Sequence, residues 1–248
     1  MKLDELRDYS ASLLQTAQFK DYCPNGVQVE GRSEVRRIAT AVTASMQVLD
    51  EAIAWGADAI LVHHGYFWRN EDACIVGIKK RRIAQLLKHE VSLLAYHLPL
   101  DAHAELGNNA RLGKLLGLVE QGRFGEQNVA CFGVLEAPRT LDLFAQQVGQ
   151  GLQRTPQVIG DGARLIGKVA WCSGGAQGYF EAAIAQGVDA YLTGEISEQN
   201  YHLANETGVA FIAAGHHATE RPGIQALGNH LASRFDLEHR FFDQNNPI

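Results

Sequence analysis

Apolar positions along the chain switch between two periods, and the switching predicts the elements. Leu3, Leu6, Leu13 and Leu14 recur at helical spacing, so the first segment is expected to be an amphipathic helix. Short apolar runs bounded by turn formers follow at 37–42, 59–64, 91–96, 129–135, 169–172, 189–193 and 209–214. Runs of this kind suit strands buried on both faces. Helical patterns lie between them at 45–55, 80–90, 108–116, 140–152 and 198–206, with another closing at Gly187. A long final helix opens at 215 and ends before Asp236. Ser45 and Thr140 occupy N-cap positions, and Gly56 and Gly117 stand at helix ends. Asp21-Tyr22-Cys23-Pro24-Asn25-Gly26 reads as a turn cluster, because proline presets φ and Asn-Gly tolerates positive φ. Helices alternating with short apolar strands make the fold class α/β.

The pattern restarts at Gly122, and residues repeat with it. Ala52-Ile53-Ala54-Trp55-Gly56-Ala57-Asp58-Ala59 aligns without gaps to Ala183-Ile184-Ala185-Gln186-Gly187-Val188-Asp189-Ala190, an offset of 131 from Gly56 to Gly187. Further on, His97-x-x-x-Asp101 and His216-x-x-x-Glu220 follow equivalent strands at an offset of 119 from His97 to His216. Two matches in the same order, each at a strand exit, point to two similar α/β domains from an internal duplication, 1–121 and 122–248. Corresponding strand exits could then converge on one cleft, with a metal site between the domains.

The strand exits carry the candidate chemistry. In open α/β sheets ligands bind at the carboxyl edge of the strands, where His63 and His64 stand. Successive strand side chains point to opposite faces, so the pair cannot share one ion unless the chain bends, as Gly65 would permit. Either one histidine is structural or the two serve two ions. Symmetry would bring His63, His64 and Asp101 near His216 and Glu220. Imidazole and carboxylate suit zinc, manganese or iron, and a carboxylate can bridge two ions. His-x-x-x-Asp/Glu puts both groups on one helix face, although Pro99 makes the first copy a turn. His97 is the catalytic candidate, as a further ligand, a proton shuttle or a partner that fixes a ligand carboxylate. His217 reads as structural or as a supporting neighbour. His103 and Glu195, at the His64 position of the second copy, read as solvated or capping groups that could line the cleft. His89, His202, His230 and His239 read as surface residues. The turn 173–178 could cradle phosphate but lacks the Lys-Ser/Thr of a P-loop, so a plain tight turn is expected.

Composition narrows the function class. The 248 residues, 46% hydrophobic, can bury a sizeable core, and the net charge of −6 with no basic stripe argues against nucleic acid as the main partner. Lys79-Lys80-Arg81-Arg82 reads as a solvated face opening a helix. Four scattered cysteines without a CxxC pair suggest reduced thiols in a cytoplasmic protein, not a disulfide framework or zinc finger. The acidic N-terminal segment is unlike a signal peptide, and no run of about eighteen apolar residues could span a membrane.

At Asp21–Val29, His63-His64-Gly65, His97-Leu98-Pro99-Leu100-Asp101 and Gly215-His216-His217-Ala218-Thr219-Glu220 the sequence resembles the Nif-three-like family, also called GTP cyclohydrolase 1 type 2 homologs. The motifs span nearly the whole chain in order and match the compact bacterial form. The resemblance implies paired α/β domains, two divalent metal ions per subunit and a ring-shaped homohexamer. It places the ligands on His63, His64, Asp101, His216 and Glu220, with His97 close to the metals. The family name implies a hydrolase that opens a purine ring with loss of formate, and the same two-metal chemistry would equally serve a phosphoester, so a purine nucleotide or related small molecule is the expected substrate. The contrasting expectation is a non-enzymatic metal-binding ring or partner-binding scaffold, with a DNA-repair role conditional on nucleic-acid affinity.

Overall fold

The apolar run ending in the paired histidines is a strand, Ala59–His64, in the computed structural model of the chain, which describes residues 1–248. In chain order the first elements are α1 (Leu3–Leu13), β1 (Gly26–Val29), β2 (Arg37–Thr43), α2 (Met46–Trp55), β3 (Ala59–His64), α3 (Gly77–Lys88), β4 (Ser92–Ala95) and α4 (Leu98–Ala102). Then come α5 (Asn108–Leu115), β5 (Leu118–Phe124), β6 (Ala130–Thr140), α6 (Leu141–Leu152), β7 (Gln157–Ile159), β8 (Leu165–Trp171), α7 (Phe180–Ile184) and β9 (Ala190–Thr193). The last are α8 (Glu198–Thr207), β10 (Ala210–Ala213), α9 (His216–Phe235) and β11 (Glu238–Phe241). No helix is long and apolar enough to cross a membrane.

Two compact units result: Met1–Gly107 with Ile224–Asn245, and Asn108–Gly223 with Asn246–Ile248. The first holds a sheet of order β1-β4-β3-β2-β11, in which β2, β3, β4 and β11 run parallel and β1 pairs antiparallel with β4. Strand alternation sorts its apolar residues by face. Ile38, Leu61, Leu94 and Tyr96 pack in one cluster with Leu6 and Leu227, while Ala39, Ile60, Val62 and Leu93 pack in another with Val48, Leu49 and Leu86. Helices on both faces explain why these strands are continuous apolar runs. Ser45 accepts from Val48 N–H to start α2, and Gly56 closes it in the left-handed region at φ +87°.

The second unit holds a sheet of order β5-β6-β8-β9-β10-β7. Val169, Trp171, Ala190, Leu192 and Ile212 pack against Phe144 and Val148 of α6. The opposite face buries an aromatic cluster in which Phe180 meets Phe211 edge-on at 4.9 Å and Tyr191 lies 5.7 Å from Phe211.

The four-strand order β1-β4-β3-β2 recurs as β7-β10-β9-β8, with the same parallel and antiparallel senses. A carboxylate clamp recurs with it. Asp58 Oδ2 accepts the N–H groups of Arg36 and Arg37, and Asp189 Oδ2 accepts those of Gly167 and Lys168, each pair offset by 131 residues.

Several expectations need correction. The boundary falls between Gly107 and Asn108, not at 121, and residues 224–245 belong with the first unit. The reason is β11, which pairs parallel with β2, while Ile224, Leu227 and Leu231 fill the first unit's core. Pro99 does not prevent a helix: it sits in the first turn of α4, where a missing N–H breaks no intrahelical bond. Strands β1, β5, β7 and β11 escape the sequence reading because polar residues or glycine interrupt their short apolar patterns. His239 and His230 are not simple surface groups, since His239 Nε2 lies 2.8 Å from Thr40 Oγ1 and His230 Nε2 lies 2.8 Å from Tyr9 Oη.

Candidate functional site

Pairing between β3 and β4 ends at Val62↔Ala95, so His63 and His64 stand at the carboxyl edge of the first sheet. His63 is fully buried and His64 half-buried, yet their ring centroids are only 4.6 Å apart. Alternation does not keep them apart at the strand's end. His97, just after β4, brings a third ring to 4.9 Å from His63 and 5.7 Å from His64. One ligand nitrogen from each of the three lies within 4.8 Å of the others. Trp68 meets His97 edge-on at 5.0 Å.

Each imidazole is held through Nδ1. His63 Nδ1 lies 2.9 Å from the Tyr96 carbonyl oxygen, and a carbonyl only accepts, so this nitrogen carries the proton and Nε2 takes the other side. That side faces Asp101 Oδ1 at 3.5 Å. His64 Nδ1 is 3.2 Å from Oγ1 of Thr43, its register partner across β2 and β3. His97 Nδ1 is 2.7 Å from Asp21 Oδ1. Gly65 contributes space and not a left-handed turn: a Cβ there would stand 2.2 Å from Gln28 Oε1 and 2.7 Å from Ala95 Cβ. Gln28 in turn accepts from Tyr66 N–H and donates to the Tyr66 and Pro24 carbonyls, tying the strand exit to the 21–29 segment.

The second unit repeats this arrangement with carboxylates. His216 and Glu220 lie on the first turns of α9, with His216 Nε2 3.2 Å from Glu220 Oε1. Glu195, after β9, brings Oε1 to 2.6 Å from His216 Nδ1, and Gln177 donates to its other oxygen. Burial opposes protonation of His216, but the hydrogen bonds and charges of Glu220 and Glu195 outweigh it and raise the pKa to about 9. Gly174 makes the close packing possible. At φ +68°, a Cβ there would stand 2.2 Å from Glu220 Oε1 and 3.2 Å from His216 Nε2. In the 173–178 turn the Gly174 N–H donates to Thr219 Oγ1 and the Ala176 N–H to Thr193 Oγ1, so these two amides serve the fold.

His63, His64, His97 and Asp101 lie in the first unit and His216 and Glu220 in the second. Sequence reasoning missed the roles of Asp21 and Glu195. Glu195 was expected to be a solvated or capping group, but it is bonded to His216 because the β9 exit points at the start of α9. Its register with His64 in the repeat was the available signal. His103 does cap, accepting from the N–H groups of Glu105 and Leu106. His217 is buried, with its backbone N–H donating to the Ile248 oxygen.

Comparison with known proteins gives a consistent result. The sequence model of the Duf34/NIF3 (NGG1p interacting factor 3) family matches residues 1–247. A Neisseria meningitidis serogroup B protein named GTP cyclohydrolase 1 type 2 homolog is 58% identical over 94% of each chain. A Pseudomonas aeruginosa protein of the same name is 52% identical over 99% of this chain and 98% of its own. The solved structure of protein ybgI, described as of unknown function, superposes with a TM-score of 0.97 at 46% identity, covering all of both chains.

Proposed function

The chain belongs to the Duf34/NIF3 family, and from that premise we propose that it is a divalent-metal-dependent hydrolase of a purine nucleotide or related small molecule. In this reading His63, His64 and Asp101 of the first unit act with His216 and Glu220 of the second to hold two divalent ions, with zinc, iron and manganese all suited to the donors. The observation that carries it is the shared orientation of the histidines. The three ligand rings are tied at Nδ1, to Tyr96 O, Thr43 Oγ1 and Glu195, the arrangement that presents Nε2 to a metal. Burial of Asp101 and Glu220 fits the same reading, because a buried carboxylate needs a cationic or hydrogen-bonding partner.

Such ions supply Lewis acidity and make water a nucleophile near neutral pH. The chain's own contribution is orientation. Tyr96 O and Thr43 fix the strand-end rings, Glu195 fixes His216, and Gly174 leaves room for Glu220. The same donor set serves attack at a purine ring carbon with loss of formate or at a phosphoester. The relatives' name, GTP cyclohydrolase 1 type 2 homolog, favours the nucleotide class of substrate.

The deciding experiment is a nucleotide panel incubated with metal-reconstituted protein beside Glu220→Gln, scored for formate and phosphate. Metal-dependent release by the wild type, absent in a folded Glu220→Gln protein, is expected. No turnover across the panel, or full turnover by the variant, would refute the reading. A metal-stabilised homo-oligomer without turnover is the second reading, favoured by the exposed run Ile75, Val76 and Ile78. It requires that chelation change the oligomeric state.

A further inference from the structure

Asp21 is bonded far more fully than its place in a turn requires. Its side chain is 3% exposed. Oδ1 accepts Tyr22 N–H at 2.6 Å and faces His97 Nδ1 at 2.7 Å; Oδ2 accepts Leu98 N–H at 2.9 Å and Asn25 Nδ2 at 2.8 Å. Burial pushes against ionisation, but the bonds from His97 and Asn25 outweigh it and hold the carboxyl below the ordinary range. An ionised carboxylate only accepts, so His97 must carry its proton on Nδ1.

Asn25 makes the arrangement rigid. Its Oδ1 accepts the His97 backbone N–H at 2.8 Å, and a backbone N–H can only donate. The amide is therefore oriented with Nδ2 toward Asp21, and it cannot flip without facing donor with donor. His97 is thus gripped at its backbone by Asn25 and at its ring by Asp21. The ring's other edge lies among His63, His64 and Trp68.

We propose that Asp21, braced by Asn25, is a positioning residue that locks His97 in the Nδ1–H tautomer and so presents the Nε2 lone pair beside His63 and His64 as a fixed hydrogen-bond acceptor. Such an acceptor selects a donor at that point of the site, a water or the O–H or N–H of a substrate. Its use by substrate rests on the metal-site reading above; the tautomer does not.

The Asp21→Asn variant gives a distinctive consequence. The new NH₂ can replace either oxygen. At the Oδ2 position it would meet two obligate donors, Leu98 N–H and Asn25 Nδ2. At the Oδ1 position it would meet one obligate donor, Tyr22 N–H, and a ring that can invert its tautomer. The second placement wins, so His97 should move its proton to Nε2. A charge-assisted hydrogen bond biases the wild-type tautomer by about tenfold or more.

The test is long-range proton–nitrogen NMR on metal-free, ¹⁵N-labelled protein at fixed pH, with His97 assigned from its absence in His97→Gln. The expected result is a neutral ring with a pyridine-like Nε2 in the wild type, inverted in Asp21→Asn, while the His63 and His64 signals stay in place. A wild-type ring protonated at Nε2 overturns the proposal, and so does an Asp21→Asn ring that keeps Nδ1–H. The wild-type spectrum decides by itself if the variant does not fold. Zinc titration of the same samples separates the two readings, because failure to take up zinc with Nδ1–H intact would count against the metal centre alone.

Discussion

Glu195 holds His216 from the side opposite Glu220: its Oε1 lies 2.6 Å from Nδ1, while Glu220 Oε1 lies 3.2 Å from Nε2. A partner on the far nitrogen orients a ligand imidazole and raises its basicity, and loss of such a partner typically weakens metal affinity about 10–100-fold. Glu195→Ala is therefore expected to lower divalent-ion affinity by that factor in a competitive chelator titration. Its side chain is 35% exposed, so the unfolding midpoint should move little. Unchanged affinity would show that His216 is held well enough by α9 alone.

The same ring makes the metal-free protein sensitive to alkali. Burial disfavours the charged form, but Glu220 and Glu195 raise the His216 pKa from 6.5 to about 9. A raised folded-state pKa gives stability that is fully present below about 6.5 and is lost as pH rises through about 9. Denaturant unfolding of the metal-free protein should therefore show a falling midpoint across that window. Glu220→Gln should flatten the fall, because it removes the first of the two glutamates. A fall of the same size in the variant would assign it to other groups.

Much of this arrangement was legible in the residue pattern, for physical reasons. The buried parallel strands announce themselves because helices cover both faces, so Ala59–His64 and Ala190–Thr193 have apolar residues on both sides. The repeat was legible because the Asp58 and Asp189 clamps need the same residue 22 and 21 positions after the two N–H groups they hold. What escaped depends on tertiary context. β11 reads Glu-His-Arg-Phe, and only its pairing with β2 makes it a strand and draws residues 224–245 into the first unit. Asp21 looked like a turn residue because nothing local shows that its carboxylate reaches His97, 76 residues away.

Gly174 and Gly187 separate backbone strain from collision. Both have positive φ, +68° and +67°, so alanine at either should cost about 1–3 kcal/mol from the backbone. A Cβ at 187 meets nothing within 4 Å, whereas at 174 it would stand 2.2 Å from Glu220 Oε1. Gly187→Ala should lower the urea midpoint and leave divalent-ion affinity intact. Gly174→Ala should lower the midpoint further and reduce affinity as Glu220 is displaced. Equal metal affinity in the two variants would mean that Glu220 can move aside without loss.

The paired aspartates carry the last prediction. Asp58 and Asp189 each accept two consecutive backbone N–H groups, at the start of β2 and within β8, but their surroundings differ. Asp58 is 12% exposed and pairs with Arg32 at 3.0 Å, whereas Asp189 is 36% exposed and faces Arg164 at 3.8 Å. Removing either carboxylate strands the same two donors, and the cost scales with how completely water is excluded from them. Asp58→Ala is expected to cost about 2–4 kcal/mol and Asp189→Ala about half as much, measured by urea unfolding of the metal-free protein. The reverse order would mean that the clamp's value lies in the strand geometry it imposes on the second unit, and not in desolvated hydrogen bonding.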